Sequence, residues 1–315
     1  MFERALLERC SPAGHGARLL TLTYHRIPRS QDPLLPDEAD AESFAAQLDV
    51  LGYYCRILPL PEAVRRLREG TLPSRAVCIT FDDGYENNLS VALPILEQRG
   101  MTATVFIAAD AIDRGIMWND LLIEAMRRAG ASAGFREFGI AESPDPALPE
   151  AARIIRVLQQ VRYEPLERRW EIAAAFYQRV AGGSMPRLML TQSQVREINR
   201  RGHDVGAHTI NHPILKGLGT EAAHREIAGS YAWVAEVTGR PPVSFAYPNG
   251  LPGRDYDESH AALAREAGFE LAVSTRWGCA TSRSNAYHLP RCSPWGVRSW
   301  TYPIRLARTY LLESD

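Results

Sequence analysis

The chain has 315 residues with 45% apolar content, enough for one large barrel or two modest domains, and a formal charge of −1 that offers no basic surface for nucleic acid. Its five cysteines are odd in number, scattered and free of any Cys-x-x-Cys pair, which argues for reduced thiols over a disulfide framework. No stretch approaches the roughly 18 uninterrupted apolar residues of a membrane span, and no apolar h-region follows Met1-Phe2-Glu3-Arg4, so a cytoplasmic protein is expected.

Residues 18–24 read as a first strand, with His25 directly at its end. Helices follow over 40–52, with Phe44, Leu48 and Leu51 on one face and Gly52 as the stop, and over 61–70, with Val64 and Leu67 facing inward. The run 76–81 is rich in β-branched and aromatic residues, a buried strand, and it ends in Asp82-Asp83-Gly84. Because the chain turns at a strand end, both carboxylates can enter one pocket; the same residues equally describe a solvated Asp-Gly turn. A helix up to Gly100 and a strand over 102–108 come next. Such alternation predicts a parallel sheet with helices outside it.

From 115 to 187 the alternation stops. The pattern there is helical over 117–128, 151–161 and 166–180, with a Gly/Pro/Ser/Asp-rich connector over 130–149. Thr191-x-x-Gln194 is a capping box opening a helix that ends at Gly202. A strand over 204–207 then runs out into His208-Thr209-Ile210-Asn211-His212-Pro213. One carboxylate and two imidazoles make a common zinc ligand set that leaves a position open for water. A structural histidine is the alternative, and it is the reading for His15, His224, His260 and His288. A helix over 220–237, a strand over 243–247, a helix over 257–267 and a strand over 269–274 complete the series.

Three stretches together resemble the polysaccharide deacetylase family with the NodB homology domain (carbohydrate esterase family 4). They are Thr80-Phe81-Asp82-Asp83-Gly84, His208-Thr209-x-x-His212-Pro213 and Phe245-Ala246-Tyr247-Pro248-Asn249-Gly250, within a likeness spanning about 19–294. The resemblance implies an α/β fold, a distorted (β/α)7-type barrel in one domain over 1–315; the helical stretch 115–187, where the alternation stops, reads as an insertion over the barrel mouth, either a lid or a buttress. Carried over by position, Asp82 is the expected base, and Asp83, His208 and His212 the expected ligands of Zn2+ or of Co2+, Ni2+ or Fe2+. A metal-bound water ionises near pH ~7 rather than ~15.7, Asp82 would take its proton, and a backbone N–H at Tyr247 or Asn249 would face the oxyanion.

Two departures from the family pattern shape the remaining assignments. The late stretch Leu289-Pro290-Arg291-Cys292 lacks the histidine that supplies the acid in most members, whereas Thr23-Tyr24-His25 resembles the circularly permuted members that act on exported poly-N-acetylglucosamine. His25 is therefore the expected general acid. Ala246 stands where many members carry an arginine, and Arg291 is the expected replacement, its guanidinium fork gripping Asp82. The implied substrate is an N-acetyl amino sugar; without a signal peptide, a lipid-linked or nucleotide-linked precursor is expected. An O-acetyl sugar esterase and a catalytically silent glycan-binding relative are the alternatives. The tail over 295–312 mixes aromatic and aliphatic residues with arginines, and is read as packing on the barrel rather than as a membrane-surface segment.

Overall fold

A computed structural model describes residues 2–129, 135–141, 148–294 and 301–312. Its strands are β1 (Leu19–Tyr24), β2 (Arg56–Ile57), β3 (Ala76–Phe81), β4 (Thr104–Ile107), β5 (Asp204–Ala207), β6 (Ser244–Ala246) and β7 (Leu271–Val273). They form one sheet in the order β1-β3-β4-β5-β6-β7, every pairing parallel, with β2 beside the start of β3. All residues of β1 and β3 are buried, as in a parallel sheet covered on both faces. Alternate residues feed different cores: Val77, Ile79 and Phe81 join one large cluster, Ala76 and Cys78 another that includes Phe106, Ala246 and Val273. The sheet curls so that its edges meet across the extended segment at 289–292. Leu289 bridges Val273 and Cys292 bridges Leu22, with Thr23 N–H donating to the Cys292 carbonyl at 3.0 Å and Cys292 N–H to Thr21 at 2.9 Å. The fold is the expected α/β barrel.

The helices are α1 (Phe2–Cys10), α2 (Ala41–Tyr54), α3 (Leu60–Arg68), α4 (Leu93–Glu97), α5 (Ala109–Arg114), α6 (Trp118–Ala129), α7 (Glu150–Val161), α8 (Leu166–Val180), α9 (Gln192–Arg200), α10 (Thr220–Thr238), α11 (Glu258–Ala267) and α12 (Tyr302–Leu311). Capping side chains set several starts: Asp40 accepts from Ser43 N–H, and Thr191 and Asp257 each close a capping box. Gly52 does not stop α2, which runs on to Tyr54 until the chain turns extended at Cys55. Before α4 the helix opens in a π-helical stretch, Asn88–Ala92, directly behind the acidic motif.

Helices α6, α7 and α8 bury a core of their own, with Leu121, Leu122, Ile154, Val157 and Phe176 at its centre. The 130–149 connector lies partly outside the described residues. So do 295–300 of the tail, but α12 is spent on the barrel: Tyr302, Leu306 and Tyr310 are fully buried, and the Tyr310 hydroxyl donates to the Ala76 carbonyl at 3.0 Å. All five cysteines are buried and none is in a disulfide. Among the described residues no helix is long and apolar enough to cross a membrane.

Candidate functional site

The motifs meet at the C-terminal end of the sheet. On β3, Cys78 and Thr80 alternate toward one side, and Asp82 continues that series. Its carboxylate receives both arms of the Arg291 fork, Nη1 to Oδ1 at 2.7 Å and Nη2 to Oδ2 at 2.8 Å. Arg291 Nε donates to the Ser274 carbonyl at 3.0 Å, and its guanidinium lies over the Phe106 ring. Both side chains are almost wholly buried, 1% and 4% exposed. Burial raises the Asp82 pKa, but Arg291, then His208, outweighs it and holds the carboxyl below its ordinary range.

Strict alternation would send Asp83 to the opposite side. It does not go there because the backbone breaks into the left-handed region at φ 73°, followed by Gly84 at 89°. Only glycine fits at 84: a Cβ would stand 3.0 Å from Ile107 Cδ1 and 3.1 Å from Ile112 Cδ1, on a backbone that already disfavours one. Thr209 (64°), His212 (53°) and Asn249 (58°) share this unusual conformation, so four of the five such non-glycine residues among those described cluster here. The result is convergence. Asp83 Oδ1 lies 3.5 Å from His208 Nε2 and 3.4 Å from His212 Nε2, and ligand atoms of all three lie within 4.8 Å of one another.

The electrostatics of this trio fit a cation. His208 Nδ1 sits 2.7 Å from the Ala246 carbonyl, which can only accept, so the proton is on Nδ1 and Nε2 turns its lone pair inward. Burial lowers His208 to about 4 despite Asp82, and burial then His208 itself push His212 well below its ordinary value. Burial, then the Asp82 and Asp120 charges, pushes Asp83 well up. Asp83 Oδ1 is buried and has no hydrogen-bond partner. Tetrahedral zinc with bonds of ~2.0–2.2 Å sets its donors about 3.3–3.6 Å apart, the spacing that Asp83 keeps from each histidine.

Neighbouring loops fix these groups. Glu226 on α10 accepts from the N–H groups of Ile210 and Asn211 at 2.9 and 2.8 Å and from Asn211 Nδ2 at 2.6 Å, pinning the turn that carries His212. Behind the acidic motif, Asn88 Nδ2 donates to the His25 carbonyl at 2.7 Å and Asn87 Oδ1 accepts from Ile27 N–H at 3.1 Å. His25 itself opens onto the cleft; desolvation by the surrounding walls lowers its pKa, Asp82 raises it, and Arg291 and Arg26 lower it further. Sequence reasoning did not single out Glu226, Asn87 or Asn88. The asparagines adjoin the acidic motif, which was a usable signal; Glu226 offers none without the fold.

One expectation is corrected. Tyr247 cannot face an oxyanion, because its N–H donates to the Val273 carbonyl at 3.2 Å and its fully buried ring stacks on Tyr256 at 3.6 Å. Pro248 has no N–H, which leaves Asn249, whose residue lines the cleft.

That cleft has a volume of about 600 Å³, within the range of small-molecule sites. Its floor holds His25, Asp82, Asp83, His208 and His212; one wall is Arg26, Glu38 and Asp120 from β1's outgoing loop and α6. Arg26 pairs there with Glu38 at 2.7 Å and lies 3.6 Å from Asp120. The rest of the lining comes from the α7–α8 region, packed beside α6, and from the loop after β6.

Residues 69–136 and 165–272, more than half of the chain, match the family model for polysaccharide deacetylase. The chain belongs to the polysaccharide deacetylase family. It is 24% identical over 281 residues to the Bacillus subtilis (strain 168) protein YxkH, named as a polysaccharide deacetylase, with 88% of this chain and 72% of that one covered. Its fold is similar to the Streptococcus pyogenes deacetylase PplD in complex with acetate, at 19% identity, 93% and 98% coverage and a TM-score of 0.62. It is similar also to IcaB from Ammonifex degensii, at 21% identity, 96% and 99% coverage and a TM-score of 0.59. Deacetylation of an acetylated polysaccharide is the activity of this family, which generally uses a divalent metal. In this deacetylase the unmatched stretch, 137–164, contains α7 and thus part of the cleft lining.

Proposed function

We propose that the chain is a metal-dependent hydrolase that removes the N-acetyl group from an amino sugar in a glycan or glycan precursor. The observation that carries this is the Asp83–His208–His212 trio, three donors of which one is a buried, unpartnered oxygen, beside a second acid that Arg291 clamps. A divalent ion held by that trio would supply a Lewis acid and would lower the pKa of a bound water from ~15.7 toward ~7.

Asp82 stays ionised across the working pH range, and the Arg291 fork fixes where its free lone pairs point. It is a weak base, but one always ready to accept a proton from an attacking water. His25 must gain a proton before it can give one to the leaving amine, and Asp82 is the neighbour whose charge favours its protonated form. The Asn249 N–H is the donor left in its turn for the oxyanion. Helices α6, α7 and α8 act as the wall that shapes the cleft.

An O-acetyl ester is the second reading, favoured by the lowered His25 pKa, since an alcohol leaves with less help from an acid than an amine does. Acetate release from paired N-acetylated and O-acetylated sugars, with and without chelator, decides between them. Release from N-acetyl sugars that chelator abolishes is expected. Release from O-acetyl sugars alone selects the esterase, and release indifferent to chelator removes the metal from the reading.

A further inference from the structure

The arginines in and beneath the cleft differ in how their charge is met. Arg26 is paired with Glu38 and Asp120, and the buried Arg291 with Asp82. Elsewhere in the lining, Arg162 follows α7 and Arg169 sits in the first turn of α8. Among the described residues neither has a carboxylate within salt-bridge distance. Arg169 is 94% buried by the complement of its 6% exposure. Its Nε donates to the Glu164 carbonyl at 2.8 Å, and its guanidinium lies 5.8 Å from the Trp118 ring centroid. Both arginines line the cleft. Burial first, and the Arg162 charge second, lower the Arg169 pKa, outweighing the Glu164 and Glu167 charges that raise it, so the two guanidiniums press on each other. Arg169 also bears on His212, within reach of the metal trio. A third cation, Arg254, donates to the Tyr163 hydroxyl at the cleft's rim.

Glu164 and Glu167 act on the buried Arg169 guanidinium only from beyond salt-bridge distance, and a second guanidinium stands beside it, so an anion completing the cluster would stabilise it. The Arg fork matches phosphate oxygens two at a time. Beyond the arginines the rim is apolar and open: Ile155, Leu251 and Tyr163 are 42%, 40% and 54% exposed and all line the same cleft. We infer that Arg162 and Arg169 form a phosphate subsite, so that the sugar bound here carries a phosphate ester, with a prenyl chain or a nucleoside lying over the apolar rim beyond it. This deepens the deacetylase reading, on which it rests for the identity of the sugar.

Calorimetric titration of the whole chain as purified tests this by binding rather than turnover. The ligands are N-acetylglucosamine 1-phosphate, a nucleoside-diphosphate N-acetylglucosamine, a short prenyl-phosphate N-acetylglucosamine in detergent, and neutral methyl N-acetylglucosaminide. At low salt the phosphorylated ligands should bind about tenfold tighter or more than the neutral one, a gap that narrows in high salt. The tighter of the nucleotide and prenyl arms names the natural source of the phosphate. Arg162→Gln should shrink the gap several-fold, Arg169→Gln should nearly close it, and Arg169→Lys should restore part of it. Arg168→Gln removes the same charge from an exposed residue paired with Glu171, and should leave the gap unchanged. If Arg169→Gln fails to fold, the exposed Arg162 decides. Equal affinity for phosphorylated and neutral ligands overturns the subsite. So does a preference that survives both Gln variants, which would mean that a bound ion takes the phosphate. A protein that prefers phosphate yet releases no acetate would refute the deacetylase reading and leave the subsite standing.

Discussion

Asp82 and Asp83 follow one another in the chain, yet the protein treats their charges in opposite ways. Asp82 is closed off: two hydrogen bonds from Arg291 satisfy it, and its pKa is held below the usual range. Asp83 is left open, with a buried oxygen facing two neutral imidazoles at 3.4–3.5 Å and a pKa pushed well up. One acid has its counter-ion built in. The other is arranged so that a counter-ion must come from outside. The left-handed turn at Asp83 is what makes the division possible, since it swings the second acid out of strand alternation and back toward the first.

The contrast can be broken first on the closed side. Replacing Arg291 by Met leaves a buried, unpaired Asp82 and should cost about 3–5 kcal/mol in urea unfolding, together with nearly all acetate release. Adding Asp82→Asn to that variant should return most of the stability and none of the activity. A single variant as stable and active as the parent would mean that the pair is incidental. Next in size, His25→Asn should lower N-acetyl turnover by ~10²–10⁴ while moving stability little, because the ring is open to the cleft. The loss should be smaller on an ester with a good leaving group; equal losses on both would refute the acid role.

Titration sharpens the open side. His208 stays neutral in the folded, metal-free protein down to about 4, whereas in the unfolded chain it takes a proton near ~6.5. Between those values the unfolded state holds more protons, so stability is fully present above pH ~6.5 and is lost as pH falls toward about 4. The loss is on the order of 3 kcal/mol at most. Urea unfolding of the metal-free protein across that window should show the slope, and His208→Asn should flatten it; an unchanged slope would count against a buried neutral ring. The smallest effect is expected at Glu226, which only holds the His212 turn. Glu226→Ala should weaken metal binding ~10–100-fold, with an intact fold by circular dichroism. Unaltered metal affinity would show that the turn is held by other contacts.

Much of this was legible in the chain. Strand positions followed from apolar runs, and the acids and histidines followed from where those runs stop, because side-chain alternation and strand-end turns are local matters. The contact between Arg291 and Asp82 was foreseeable only through the family resemblance, which sets an arginine where this chain has Ala246; 209 residues separate the partners. What escaped depends on neighbours brought together only by the barrel. Glu226, Asn87 and Asn88 act through loops remote in sequence, and Tyr247 was misjudged because a backbone N–H cannot be known to be free until the sheet register assigns it. Gly52 misled for a related reason: buried Phe44, Leu48 and Leu51 fasten α2 to the core strongly enough to carry it two residues past its glycine. The α7 wall had a readable helical pattern and was expected over the barrel mouth, but the pattern did not say whether it serves as lid or buttress.

The division between the two acids is tested most directly by counting metal. After loading and dialysis, elemental analysis should find one divalent ion per chain in the parent protein and in Asp82→Asn, and essentially none in Asp83→Ala. Retention of the ion by Asp83→Ala, or its loss from Asp82→Asn alone, would contradict the account.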